Sequence, residues 1–142
     1  LLYQIQEETK HELKQFHILV HEDRFQVHLT AMQCGKDWNV LLIGGEKHHV
    51  GAIALGVPGY IDEDRSRPTV SVSSLCVTGH KDDELARMAA EELGKNLAAR
   101  VVVVVGIHLD KATPKEISSI CNAAMTCCKK LEEQIDLTKV GA

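Results

Sequence analysis

Near residue 80 the hydrophobic pattern of this chain changes its period, and that switch limits the fold more than any other feature of the sequence. Before it, apolar residues alternate with polar ones; after it, they recur every three or four positions. Phe16, Ile18 and Val20 point one way while His17, Leu19 and His21 point the other, which predicts a half-buried strand. The alternation returns in Phe25, Val27, Leu29 and Ala31, with Gln26, His28 and Thr30 opposite. His17, His21 and His28 therefore belong to an outer sheet face, where a histidine is more often solvated than functional. Cys34-Gly35-Lys36-Asp37 is turn chemistry leading to a third strand, Trp38 to Ile43, so the chain opens as an antiparallel meander. A fourth strand, Val50 to Val57, is almost wholly apolar, as a central buried strand would be. Its Gly51 and Gly56 suit a bulge or the close approach of another group. A polar loop over 58–68 leads to a fifth strand, Thr69 to Val77.

Beyond the switch, Leu85, Met88, Ala89, Leu93 and Leu97 make one apolar stripe, predicting a helix over about 81–98. Asp82, Asp83 and Glu84 crowd its first turn and suit the positive end of the helix dipole. Val101 to Val105 reads as a sixth, fully buried strand. Thr113-Pro114-Lys115-Glu116 is a helix start, with Thr as N-cap, Pro at the first helical position and Glu three residues after the cap. Ile117, Ile120, Cys121, Ala124, Cys128, Leu131 and Ile135 carry that second helix to about residue 135, leaving 136–142 as a frayed tail. The order βββββαβα predicts an α+β fold, a mainly antiparallel sheet of about six strands with two long helices packed on one face. A length of 142 residues suits a single domain over 1–142.

Composition narrows the function. The net charge is −4 and the 16 Lys and Arg are scattered, so the basic footprint of a nucleic-acid binder is missing. No apolar run approaches membrane-spanning length and the first residues contain no signal-peptide core, which predicts a cytoplasmic location. Five cysteines without C-x-x-C spacing read as reduced thiols rather than a disulfide framework or zinc ribbon.

Three histidines, His49, His80 and His108, stand where strand-like runs meet glycine-containing turns. Imidazole both binds metals and exchanges protons near neutral pH, and strand-end loops are where a scaffold presents working residues. If the fourth and fifth strands are antiparallel neighbours, His49 and His80 share one sheet edge. His108 joins them if the sixth strand runs parallel to the fifth, through a crossover over the first helix. Three such imidazoles could hold a divalent metal with an open coordination position. The alternative is three independent histidines in capping or hydrogen-bonding roles.

The segments Gly44-Gly45-Glu46-Lys47-His48-His49-Val50-Gly51-Ala52, Gly79-His80-Lys81-Asp82-Asp83 and Gly106-Ile107-His108-Leu109-Asp110-x2-Thr113-x2-Glu116 resemble, in order and spacing, the LpdD family, named after the small D subunit associated with gallate decarboxylase. The resemblance covers roughly Phe16 to Leu131. It implies a non-catalytic chaperone that holds reduced prenylated FMN and delivers it to a UbiD-type decarboxylase, a fold similar to proteasome assembly chaperones, and a homodimer. The family usually has a proline just before the histidine matched by His49, where this chain has His48, so two neighbouring imidazoles compete for one place. His49, Gly51, Gly79, His80, Lys81, His108 and Asp110 are the expected cofactor-binding residues, with His49, His80 and His108 as the candidate metal ligands. Ile53, Leu55 and Leu109 are expected to line an apolar pocket for the rings. Two other classes stay open: a small metal-dependent enzyme with Asp110 or Glu116 as base, and a dimeric assembly scaffold with structural histidines.

Overall fold

A computed structural model describes residues 13–77 and 82–140. Six strands form one sheet: β1 (Gln15–His21), β2 (Gln26–Cys34), β3 (Asp37–Gly45), β4 (Lys47–Tyr60), β5 (Pro68–Cys76) and β6 (Val101–His108). Helix α1 (Asp83–Leu97) lies between β5 and β6, and α2 (Pro114–Val140) follows β6. The α+β order expected from the sequence is the order observed.

The first three strands pair antiparallel as a meander, turning between β2 and β3 at Gly35, whose φ of 65° suits a residue without a side chain. The spatial order is β1-β2-β3-β6-β4-β5. β6 is thus inserted between β3, to which it is parallel, and β4, to which it is antiparallel. Because β4 is also antiparallel to β5, β5 and β6 run in the same direction, as the crossover over α1 requires. β4 is therefore one strand in from the edge rather than central. Its alternate residues Ile53, Leu55 and Val57 are exposed, so its apolar run does not mean burial on both faces. It also pairs to Tyr60, which shortens the expected polar loop to 61–67.

One face of the sheet carries the core. Leu29, Leu42, Val105 and Ala52 form one cross-strand row and Ala31, Val40, Val103 and Ala54 the next, all buried. α1 packs over β4, β5 and β6, and α2 over β1 and β2. The buried face of α1 is Leu85, Ala86, Ala89, Ala90, Leu93 and Gly94, whereas Met88 of the expected stripe is exposed. Small residues win this face because β4 comes so close that a Cβ on Gly56 would overlap the Ala90 carbonyl. On α2 the buried set is Ala123, Ala124, Cys127, Cys128, Leu131 and Ile135, while Ile117 is exposed.

The start of α2 is the reciprocal capping box its sequence predicts: the Glu116 N–H donates to Thr113 Oγ1 at 3.2 Å and the Thr113 N–H to Glu116 Oε2 at 2.8 Å. The expected frayed tail over 136–142 is instead helical through Val140, with 141–142 outside the described residues. An exposed last turn needs no apolar stripe. Here Thr138 Oγ1 donates to the Ile135 carbonyl at 2.7 Å, Lys14 Nζ donates to Thr138 Oγ1 at 2.9 Å, and Lys139 pairs with Asp136 at 3.9 Å.

The opposite sheet face carries no described helix. Its middle row reads His17, Thr30, Leu41, Val104, Ile53 and Leu75 across all six strands, and Leu75 is 76% exposed. No helix among the described residues is long and apolar enough to cross a membrane.

Candidate functional site

β4 begins and β6 ends at the same edge of the sheet, with Lys47 paired to His108 and His48 to Ile107. Between His48 and Ala52 the register breaks in a bulge. Gly106 accommodates it, since a Cβ there would overlap the His49 backbone. The bulge and the strand end together bring the His49 and His108 rings edge to face, their centroids 6.3 Å apart with an interplanar angle of 76°. Gly79, His80 and Lys81 lie outside the described residues, so the third histidine has no place in this description.

Each of the two rings is tied to a carboxylate. His49 Nε2 lies 3.0 Å from Asp82 Oδ2, and its Nδ1 lies 3.4 Å from the Lys47 carbonyl oxygen. His108 Nε2 lies 2.8 Å from Asp110 Oδ1. An ionised carboxylate offers only acceptors to the ring nitrogen it faces. The His108 hydrogen bond, then the nearby Lys47 charge 3.8 Å away, hold the Asp110 carboxyl below the usual carboxylate range. Asp82, a buried neighbour of His49, is the residue of this edge that the sequence did not single out as a site candidate. Its place in a run of acidic residues read as helix-dipole chemistry, and its separation from His49 along the chain left no local motif.

Gly51 is buried, and the space a Cβ would need is filled by the Asp82 carboxylate. It therefore makes room for the histidine–carboxylate pair. Arg24, from the β1–β2 turn, braces the loops of the site. Its Nη2 donates to the Asp110 carbonyl at 2.9 Å and its Nε meets Glu116 Oε1 at 2.9 Å, while Nη1 stands 3.8 Å from Glu46 Oε1. Glu46 in turn accepts the Asp110 N–H at 3.1 Å. Glu116, lowered first by the Thr113 backbone hydrogen bond and also by Arg24, is committed to capping and bracing.

His48 goes elsewhere. Its ring stands 5.8 Å from that of His28, and both line a cleft of about 400 Å³ with Arg24, Phe25 and Gly45. Of the two neighbouring imidazoles, His49 is the one beside His108. Among the residues expected to line a ring pocket, Ile53 and Leu55 are exposed on the open sheet face, whereas Leu109 is buried in the core. Among the described residues no three His, Cys, Asp or Glu side chains converge so as to hold a metal ion. Both nitrogens of His49 already face oxygen acceptors.

Residues 21–136 match the family described as the prenylated flavin chaperone LpdD-like domain. No curated protein matches the chain. Among solved structures, the chain is similar to one from a novel chaperone complex for yeast 20S proteasome assembly. The identity is 17%, 90% of this chain and 96% of that chain are covered, and the TM-score is 0.50. At that identity the likeness is one of fold alone.

Proposed function

This chain belongs to the prenylated flavin chaperone LpdD-like family, and on that footing we propose that it holds reduced prenylated FMN at the His49–His108 edge and hands it to a UbiD-type decarboxylase. The family match over most of the chain carries the reading. A family of chaperones leaves the metal-dependent enzyme considered from the sequence without support, and the one base candidate on α2, Glu116, is already committed to the helix start.

Polar groups gathered at one end of an open apolar surface suit the ligand. The flavin rings need apolar contact, which Ile53 and Leu55 offer, and the ribityl phosphate needs hydrogen-bond donors and cations. His49, His108 and Lys47 supply these within the described residues, with Asp110 orienting His108. In this reading Gly79, His80 and Lys81 complete the phosphate side and Gly51 keeps the space for Asp82. A metal on His49, His80 and His108 lacks a third ligand among the described residues, so no step is routed through one.

The partner in solution is proposed to be a second copy of the chain. Leu41, Val104, Ile53 and Leu75 make that row apolar over four neighbouring strands with no described helix above it, which suits a self-complementary contact. Light scattering should give about twice the 15.7 kDa chain mass at micromolar concentration, and Ile53→Lys should reduce it to the monomer. A monomer in the unmodified protein removes this part of the reading.

Anaerobic titration tests the ligand. The fourth ring of the prenylated cofactor adds apolar area worth about 25 cal/mol per Å² on burial, so it should bind roughly ten-fold or more tighter than plain FMN. Transfer to an apo UbiD-type decarboxylase should restore that enzyme's activity, while the isolated chain turns over nothing. Equal affinity for both flavins, or binding of neither, would remove the chaperone reading.

A further inference from the structure

Asp82 occupies the N-cap of α1, where an aspartate ordinarily turns its carboxylate onto the free N–H groups of the first turn. Here the side chain makes no cap bond. Only its backbone carbonyl serves the helix, accepting the Ala86 N–H at 2.9 Å. The carboxylate is buried, the residue 8% exposed, and is directed at the sheet instead. Oδ2 takes His49 Nε2 at 3.0 Å, and Oδ1 faces the Ile107 N–H at 3.4 Å. A Cβ on Gly51 would overlap Oδ2, so the chain leaves a position empty where the carboxylate lies. The start of α1, the bulge of β4 and the end of β6 thus meet on one carboxylate. A buried carboxylate is costly unless its oxygens are satisfied, so the fold constrains the groups around it as strongly as it is constrained by them.

We infer that Asp82 is a positioning residue of the ligand site, fixing the His49 imidazole with its hydrogen on Nε2 and its ring edge-to-face with His108. Of the two described oxygens facing the ring, the carboxylate is charged and stands 3.0 Å from Nε2, while the neutral Lys47 carbonyl stands 3.4 Å from Nδ1, so the hydrogen is held on Nε2, as carboxylates do for histidines that work on ligands. The effect on ligand affinity rests on the flavin reading above; the effect on the ring does not.

Two measurements separate these. Long-range ¹H–¹⁵N correlation spectra of the ligand-free protein report which nitrogen of His49 carries hydrogen. Asp82→Asn keeps an oxygen for the Ile107 N–H but turns an NH2 toward the ring, so His49 should shift its hydrogen to Nδ1 and accept on Nε2. In anaerobic titration the same variant should bind reduced prenylated FMN about ten-fold or more weakly, whereas Glu84→Gln, an equal change of charge at an exposed first-turn position, should bind as the unmodified protein does. If Asp82→Asn does not fold, the spectra of the unmodified protein decide by themselves: a His49 ring with its hydrogen on Nδ1 and none on Nε2 overturns the inference. Unchanged His49 nitrogen shifts, or equal affinities for Asp82→Asn and Glu84→Gln, overturn the inference. If the unmodified protein binds no flavin, the functional reading falls and the nitrogen shifts alone decide about Asp82.

Discussion

Replacing Gly56 by alanine should loosen the contact that seats α1, whose N-cap is Asp82, on the sheet. β4 and α1 approach so closely at this point that an added Cβ would lie 3.0 Å from the Ala90 carbonyl carbon, nearer still to its oxygen, and 3.3 Å from Val70 Cγ1. The obstacle is helix backbone in a packed core, with Ala86, Ala89, Ala90 and Leu93 all fully buried, and it cannot rotate away as the end of a side chain can. α1 must move outward by a sizeable fraction of an ångström, an overpacking cost of about 1–3 kcal/mol. For a chain of this size that is about 4–12 °C in Tm, or roughly 1 M in the urea midpoint at an m-value of about 2 kcal/mol/M. Gly59 on the same strand is the internal control. A Cβ there would meet only Thr69 Cγ2, at an ordinary 3.8 Å, so Gly59→Ala should be neutral or stabilising by up to about 1 kcal/mol. Because α1 starts at the residue after Asp82, the Gly56 variant should also weaken flavin binding, while the Gly59 variant should not. Urea unfolding followed by circular dichroism gives both midpoints. Midpoints for the two variants agreeing within about 0.2 M, at equal m, would refute the close-approach argument.

Arg24→Ala removes exposed contacts worth about 0–1 kcal/mol in stability, yet it frees the Asp110 and Glu46 loops, so flavin affinity should fall more than thermal stability does; a loss of several kcal/mol by calorimetry would show that Arg24 is structural instead. Asp110 titrates below the usual carboxylate range, so its contribution is complete above about pH 4 and is lost as the pH falls through the lowered value; the stability difference between the unmodified protein and Asp110→Asn should vanish in acid, and a difference that grows there would reverse the sign. Burial pushes the Cys127 thiol up to about 11 and Cys128 up as well, so a maleimide at pH 7 should label exposed Cys34 and Cys76 first, and equal labelling of Cys128 by mass spectrometry would contradict the packing of α2.

What the sequence determined was local. Alternation gave the first two strands and their two faces, because every second side chain of a strand shares a face, and the turn residues Cys34–Asp37 gave the third. The Thr113–Glu116 spacing gave the start of α2, because both partners of a capping box lie within one turn. The glycine-flanked histidines and the order of their motifs pointed to the family. Tertiary structure decided what depends on residues far apart in the chain. Nothing local in Val101–Val105 says that β6 enters between β3 and β4, and that insertion is what sets His108 beside His49. Both helices pack on the other face of the sheet, so Ile53 and Leu55 stand open on a strand that reads as buried, because an apolar run records what can be covered, not whether anything covers it. On α1 the pattern found Leu85, Ala89 and Leu93 but not the small Ala86, Ala90 and Gly94 that complete the core face in place of Met88, since close packing rewards the absence of volume that a hydrophobic pattern cannot register. Asp82 was invisible for a related reason. Beside Asp83 and Glu84 it is one more acid at a helix start, and only the folded chain turns its carboxylate away from that helix and onto the ring of His49.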